Sequence, residues 1–354
     1  MEALGLIICI NSDNKHLFEQ KKMKQLFIAW VPFQRRSISM RNYFDYELRF
    51  LSFAFKNRFF RPLEYIFKAW KTLLLFLLQQ PQTIWIQLPP TLLLHIAHLY
   101  KILFNRKVRI IADCHNATFR CPWINIPGTV TLLNKCNLVI IHNDSLQELA
   151  VANGINYKHL YVLEDPPALV ENGSIQNQEL FPHPWVLCPC SFNADEPIEA
   201  ILGAARFAPD ITFVLTGKAT RAKGIHDLNN IPPNVKLPGF LPKSEFDKLL
   251  CDADIVLGLT KLDGIQLSVA NEAVGAGKPM VIANTNLLKK LFYKGAIYVD
   301  AFSSKSIAQG CREALIRKDE LTKEVHELMS ERNEKWLLQA AKLEYSFSSN
   351  TLLI

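Results

Sequence analysis

The chain has 354 residues, 49% of them hydrophobic and 21% charged, with a net charge of +7. That length gives room for two domains, each with its own core, and the composition excludes a disordered, fibrous or repeat-built chain. With so modest a charge and no recognition motif, nucleic acid is excluded as a partner.

The first element in chain order is an apolar heptad, LGLIICI, followed by the polar segment NSDNKHLFEQKK. It is too short and lacks the basic flank and cleavage pattern of a secretory signal, so residues 1–22 read as a weakly ordered leader. A strand, LFIAWV, follows and runs into the loop PFQRRS. Residues 43–79 read as helical. They carry Arg49, Lys56, Arg58, Arg61, Lys68 and Lys71 among Phe, Tyr and Trp70. This segment is either a set of ordinary helices with basic outer faces or a surface for anionic lipid headgroups.

From Thr72 to Tyr100 no charged residue occurs, long enough to resemble a membrane span. Gln79, Pro81, Pro89 and Pro90 divide it into a helix end, the strand TIWIQL and a second helix, TLLLHIAHLYKILF. Strands VRIIADC, LVIIHN and LYVLED then alternate with helices GTVTLLNKC and SLQELAVAN. Next comes the Pro- and Asn-rich stretch PPALVENGSIQNQELFPHP, the best linker in the sequence.

The alternation restarts with WVLCPC, PIEAILGAARFA, ITFVLTG, EFDKLLCDA, DIVLGLT, a helix over 266–277, MVIAN, IYVD and a helix from about Ser304. It ends in a long charged amphipathic helix. Alternating short apolar strands and helices predict α/β architecture with two parallel sheets. The eight cysteines are scattered, without CxxC spacing, and Cys188-Pro-Cys190 is too tight for a shared metal. They read as reduced core thiols of a cytosolic chain.

In open α/β sheets ligands bind beyond the carboxyl ends of the strands. That rule selects PFQRRS and HNATFR in the first half, and SFNADE, TGKATRAK and TKLDGIQ in the second. In KLDGIQLSVANEAVGAGKPMVIANT (261–285), Ser268, Asn271, Glu272 and Gly275 form a narrow polar or small stripe with little charge. The turn Gly264-Ile265-Gln266-Leu267-Ser268 opens a helix after a strand, where free N–H groups suit a diphosphate. One helical turn deeper, Glu272 is placed to accept from ribose hydroxyls, and Asp263 from a sugar. The bland alternative is an ordinary Asp-Gly turn and a locally paired Glu272.

This stretch resembles the donor-binding motif of family 4-like (group 1) glycosyltransferases with the two-domain B-type architecture. Asp263-Gly264 and Glu272-Ala273 stand for the two acidic pairs, followed by Gly275 to Ala283. The resemblance covers about residues 185–320. It departs from the pattern in three ways. Eight residues separate Asp263 from Glu272, one more than in the family. Gln266-Leu267-Ser268 replaces Gly-Leu-Pro. The family's Arg and Lys pair is absent from SFNADEPIEA, which leaves Lys218, Arg221 or Lys223 to supply a phosphate cation, Lys218 foremost.

DCHNATFRCPW (113–123) resembles the acceptor-side loop of the same enzymes. Asp113 or His115 is then the acceptor's general base, or Asp113 only orients His115. Arg120 and His142 are secondary acceptor or phosphate contacts. The resemblance implies two Rossmann-like domains facing a central cleft, divided as follows. Residues 23–170 bind the acceptor, 171–184 link, and 185–325 bind the donor. Residues 326–354 form a helix packing back on the first domain.

It implies a nucleotide-sugar-dependent glycosyltransferase of the hexosyltransferase class, serving cell-surface polysaccharide or glycoconjugate synthesis. The donor would be a UDP- or GDP-sugar, with no further cofactor and no metal. Asn193, Gly217, Lys218, Asp263, Gly264, Gln266, Leu267, Ser268, Asn271 and Glu272 would line its site. The acceptor would be a glycan or lipid-linked sugar, reached from the cytoplasmic face of a membrane. Two rivals are an epimerase of the same architecture and a non-catalytic membrane-associated relative.

Overall fold

A computed structural model of the chain describes residues 24–53, 55, 58–170 and 180–349. The expected leader at 1–22 lies outside the described residues, as does the 171–179 part of the expected linker. The first half contributes strands β1 (Gln25–Ala29), β2 (Glu47–Phe50), β3 (Thr83–Leu88), β4 (Arg109–Cys114), β5 (Leu138–Ile141) and β6 (Leu160–Val162). Its helices are α1 (Arg35–Phe44), α2 (Arg61–Gln79), α3 (Leu92–Leu103), α4 (Thr129–Leu133) and α5 (Asp144–Ala152).

The second half contributes β7 (Trp185–Pro189), β8 (Thr212–Thr216), β9 (Val235–Gly239), β10 (Ile255–Gly258), β11 (Met280–Ala283) and β12 (Ala296–Val299). Its helices are α6 (Ile198–Phe207), α7 (Lys243–Asp252), α8 (Ser268–Gly275), α9 (Asn286–Leu291), α10 (Ser304–Ile316) and α11 (Lys318–Ser349).

Two six-stranded sheets result, ordered β2-β1-β3-β4-β5-β6 and β12-β11-β10-β7-β8-β9. Every paired strand runs parallel to its neighbour. The strand order reverses between β1 and β3 in the first sheet and between β7 and β10 in the second. Those are the positions where loops diverge and open α/β sheets bind ligands.

Central strands are buried on both faces, as parallel sheets require. All six residues of TIWIQL are buried. Alternate residues of the first sheet feed two cores. Ile28, Ile84, Ile86 and Ile110 pack under α2 and α3. Phe27, Trp85, Ile111 and Ile140 pack with Met40 and Phe44 of α1 and with Trp336, Ala340 and Leu343 of α11. Earlier in α11, Leu321, Val325 and Leu328 belong to the core of the second sheet. One helix therefore seals both halves.

The structure corrects the expected elements at several points. The expected helical region 43–79 contains β2, and helix α1 starts inside the expected loop PFQRRS. Strand β9 was also not expected. Both unexpected strands lie at sheet edges, where half-exposed sequences such as ELRF and VKLPG need no apolar run. The helix expected over 266–277 spans only Ser268–Gly275. Among the described residues no helix is long and apolar enough to cross a membrane, and the seven described cysteines are free thiols.

Candidate functional site

The site is organised by two consecutive arginines at the start of α1. Gln34 caps the helix, its side-chain oxygen accepting from the Arg36 N–H at 2.7 Å. Arg36 points into its own half. Its Nε donates to both Asp113 oxygens at 3.2 and 3.3 Å, and Nη1 to Asp165 Oδ1 at 2.5 Å. The remaining fork donates to the carbonyls of Leu163 and Glu164.

Arg35, about 100° round the helix, points across to the other half. Its Nε donates to Glu272 Oε1 at 2.9 Å and Nη2 to Asp247 Oδ1 at 2.7 Å. Nη1 also donates to the Leu169 carbonyl at 3.0 Å. Both guanidinium forks are filled, the geometry that arginine supplies and lysine cannot.

Two cavities meet at Arg35, Ser268 and Glu272, which line both. The larger, about 460 Å³, lies at the strand-order reversal of the second sheet. Its walls are the ends of β7, β8 and β10, the start of α8, and Pro32 and Phe33 from the first half. The smaller, about 200 Å³, lies between His115, His142 and Asp165 on one side and Gln266 and Asn271 on the other.

Gly217 lines the larger cavity with φ +114°, and a Cβ there would stand 1.9 Å from the Cys190 carbonyl oxygen. Only glycine lets these two strand ends close up. Helix α8 has no side-chain cap at Leu267, which leaves its first N–H groups without that partner, and Leu267, Ser268 and Val269 at its start line the cavity.

Glu272 stands one turn into α8. Burial raises its carboxyl above the ordinary range, outweighing the pull of Arg35, and the Asp247 charge adds to the rise. Burial opposes the Arg35 charge too, but Asp247 and Glu272 overcome it and hold the guanidinium ionised. Both partners of the pair thus shift upward, which favours the charged guanidinium and disfavours the charged carboxylate. The guanidinium charge is the secure one, because arginine is ionised at any working pH.

The rest of the polar stripe is used in joining the halves. Asn271 Nδ2 donates to the Pro166 carbonyl at 2.8 Å, and a Cβ on Gly275 would stand 2.0 Å from the Ala168 carbonyl oxygen. Gln266 donates to Asp165 Oδ2 at 2.7 Å and accepts from Asn143.

Other expected donor residues fall outside the cavities. Asp263 accepts from its own neighbour's N–H, that of Gly264, at 2.7 Å, and neither residue lines either cavity. These two residues form a local turn beside the cavities. Asn193 is exposed and outside both cavities too. Its N–H donates to Glu196 and its side-chain oxygen accepts from Arg221. Lys218 is exposed, with Nζ 5.4 Å from the Phe240 ring at the cavity rim. The cations that line the larger cavity are Arg35 and Lys243, both bonded to Asp247.

On the acceptor side, Asp113 is only 1% exposed and lines neither cavity. Burial alone would raise its carboxyl, but Arg36 and then His142 hold it well below the carboxylate range. A carboxylate so stabilised is a poor proton acceptor. His115 lines the smaller cavity with its side chain 24% exposed.

Gln34's amide orientation is fixed by the Arg36 N–H, so its Nε2 donates to His115 Nε2 at 3.2 Å. That nitrogen therefore carries the lone pair. Burial, with His142 and Arg36 adding to it, pushes the His115 imidazole down to about 3. It is neutral at neutral pH.

His142 is buried, 3.5 Å from Asp113 and edge-on to His115 with ring centroids 4.3 Å apart. Ligand atoms of Asp113, His115 and His142 lie within 4.8 Å of one another. The spacing suits a metal, but the Arg36 guanidinium already occupies Asp113, and a divalent ion would sit against that charge. Arg120 is exposed at the end of a short turn and lines neither cavity.

Sequence reasoning selected the loop PFQRRS but named neither arginine as a site residue. Asp165, at the end of LYVLED, and Asp247, in the helix EFDKLLCDA, join the arginines without any local motif to mark them. The available signal was a buried-charge pair: two arginines at the carboxyl end of a central strand, with no neighbouring acid in sequence.

No family model and no curated protein matches the chain. Solved structures do. The HepE protein of Anabaena, determined with UDP and glucose, superposes with a TM-score of 0.68 at 15% identity, covering 92% of this chain and 100% of that one. Sucrose-phosphate synthase of Thermosynechococcus elongatus gives 0.66 at 13% identity, covering 92% and 98%. A putative UDP-N-acetylglucosamine 2-epimerase of Listeria monocytogenes gives 0.60 at 12% identity, covering 93% and 96%. Identities this low carry the fold and nothing finer. The chain has the glycosyltransferase B-type architecture, two Rossmann-like parallel-sheet halves about a cleft.

Proposed function

We propose that the chain is a nucleotide-sugar-dependent glycosyltransferase similar to the family 4-like (group 1) enzymes. It moves a sugar from a UDP- or GDP-sugar to a glycan or lipid-linked acceptor, on the cytoplasmic side, in polysaccharide or glycoconjugate synthesis. The larger cavity carries this reading. It sits at the strand-order reversal, opens onto an uncapped helix start, and has a carboxylate one turn deeper. In this assignment residues 185–325 bind the donor and 23–170 the acceptor.

The chemistry follows from charge. Breaking the bond between the anomeric carbon and the diphosphate puts negative charge on the leaving group, and the open N–H groups of α8 are aimed there. Arg35 and Lys243 are the cations within reach. Glu272 accepts from the ribose hydroxyls. The acceptor hydroxyl forms the new bond, and its proton goes to His115 Nε2, once Gln34 gives up its hydrogen bond to that nitrogen, or to the departing diphosphate. Asp113 and Arg36 hold the imidazole wall in place. UDP and glucose, named with the HepE structure, support this class of donor.

A thermal-shift series with UDP-, GDP- and CMP-sugars tests the reading. One of them at a hundred times its dissociation constant adds about 2.7 kcal/mol of stability. If none shifts the transition, the donor assignment falls. The His115–His142 pair beside the cavity junction favours epimerisation as a second reading. An isomerised sugar formed from the donor alone, without acceptor, would select it.

A further inference from the structure

Helix α2 is turned inside out relative to a water-facing helix. Its buried residues are Lys68, Thr72 and Phe76, with Lys68 paired to Glu64 at 2.6 Å and Thr72 accepting from the Trp30 indole at 2.9 Å. Its outward stripe is apolar: Ile66 is 64% exposed, Trp70 59% and Leu78 72%. A solvated helix places polar residues there.

Near the start of α2, a groove of about 460 Å³ is lined by Phe53, Phe55, Leu63, Ile66, Phe67 and Trp70. Toward the other end of α2, α3 packs against it through the Phe76 and Tyr100 rings, 5.2 Å apart. The end of α3 leaves Ile102, Leu103 and Phe104 exposed. Contiguous apolar surface of this extent marks a docking face.

We infer that the outer face of α2 and α3 docks on an anionic lipid surface, with the groove taking an acyl chain. Charge selects this occupant. Residues 51–109 hold nine Lys and Arg against one acid, Glu64, although the whole chain carries only +7. Glu64 is itself engaged by Lys68. Arg61, Lys71, Arg106 and Lys107 are exposed around the apolar stripe. A second copy of the same face would meet it with like charge, whereas anionic headgroups over an apolar interior complement both features.

No helix among the described residues can cross a bilayer, so the contact is peripheral. Gln82, just after α2, donates its N–H to the Lys24 carbonyl at the start of the first sheet. The end of α2 therefore lies at the amino edge of the strands. Its start, with the groove, stands at the carboxyl edge where the cleft opens. The docking holds whether or not sugar is transferred.

Co-sedimentation with phosphatidylglycerol-containing vesicles, against pure phosphatidylcholine vesicles, tests the proposal on the full chain. The unmodified protein should pellet with the anionic vesicles at low salt and be released as salt rises. Ile66→Glu and Trp70→Glu are exposed changes, each expected to weaken binding at least about tenfold. Lys71→Glu should weaken it less and flatten the salt dependence. Each variant's own thermal unfolding transition serves as the fold control, and the donor thermal shift reports the donor reading separately. No pelleting at low salt, or unchanged pelleting of both apolar variants, overturns the proposal. So does a dimer that Ile66→Glu dissolves in protein that ignores vesicles, which would assign the face to a second copy.

Discussion

Arg36 turns into the half that carries it and closes on Asp113 and Asp165, while Arg35, one residue earlier, crosses to Asp247 and Glu272 in the other half. The partners differ in what they leave exposed. Asp113 is buried beneath the imidazoles, and if Arg36 is lost the His142 ring, 3.5 Å away, is the nearest group left to it. On the Arg35 side, Lys243 also holds Asp247 at 2.9 Å, and Glu272 faces both cavities. A donor whose ribose reaches Glu272 must share that carboxylate with Arg35. Adjacent residues of one type thus form a fixed clamp and a releasable latch.

Breaking the clamp is expected to have the largest effect. Arg36→Met takes the guanidinium from both carboxylates, leaving Asp113 to the imidazoles and Asp165 to Gln266, and should cost about 3–5 kcal/mol in urea unfolding. Arg35→Met should cost less, about 1–3 kcal/mol, because Lys243 and solvent remain to its partners. Equal losses would erase the distinction.

His115→Ala is expected to lower transfer turnover by about 10²-fold, the lower end of acid–base effects, since its imidazole is a weak base. The donor thermal shift should persist. A retaining reaction, with diphosphate as base, would show less. Glu272→Gln keeps the shape of the latch and removes its charge. Calorimetry should find donor binding weaker by roughly 1.5–3 kcal/mol, and unchanged affinity would remove Glu272 from the ribose site.

At neutral pH the smallest effect belongs to His98, on the buried face of α3 and pushed down to about 4, mainly by burial. The folded state resists its protonation, so its contribution is complete above about pH 6.5 and is lost as pH falls toward 4. Arg36 still protects the ionised Asp113 and Asp165 across that window, because their lowered values lie beneath it. Unfolding at a pH series should show stability rising with pH there, with a shallower slope in His98→Leu. An unchanged slope would transfer the effect to His115.

The two sheets and their interior strands are legible in the sequence because runs such as TIWIQL and MVIA are apolar on both faces. Strands β2 and β9 are not, since an edge strand is half solvated and its sequence looks like loop. In the site, Glu272, Ser268, Gly217 and His115 follow from strand ends and the resemblance. The arginine clamp does not, because its four carboxylates lie 77 to 237 residues away in sequence. No local pattern encodes such a meeting. Asp263 shows the converse: a strand-end residue bonded within its own loop.

Helix α11, 32 residues and roughly 48 Å long, places Leu321, Val325 and Leu328 in one core and Trp336, Ala340 and Leu343 in the other. The halves are therefore not separable by cutting the chain in its middle. A fragment ending near residue 170 would leave the aromatic seat of Phe44 and Trp85 without the Trp336 ring that closes on Phe44 at 6.1 Å. Supplying residues 318–349 as a separate peptide should restore that fragment, and the second half alone should carry a loose apolar tail that binds it in trans.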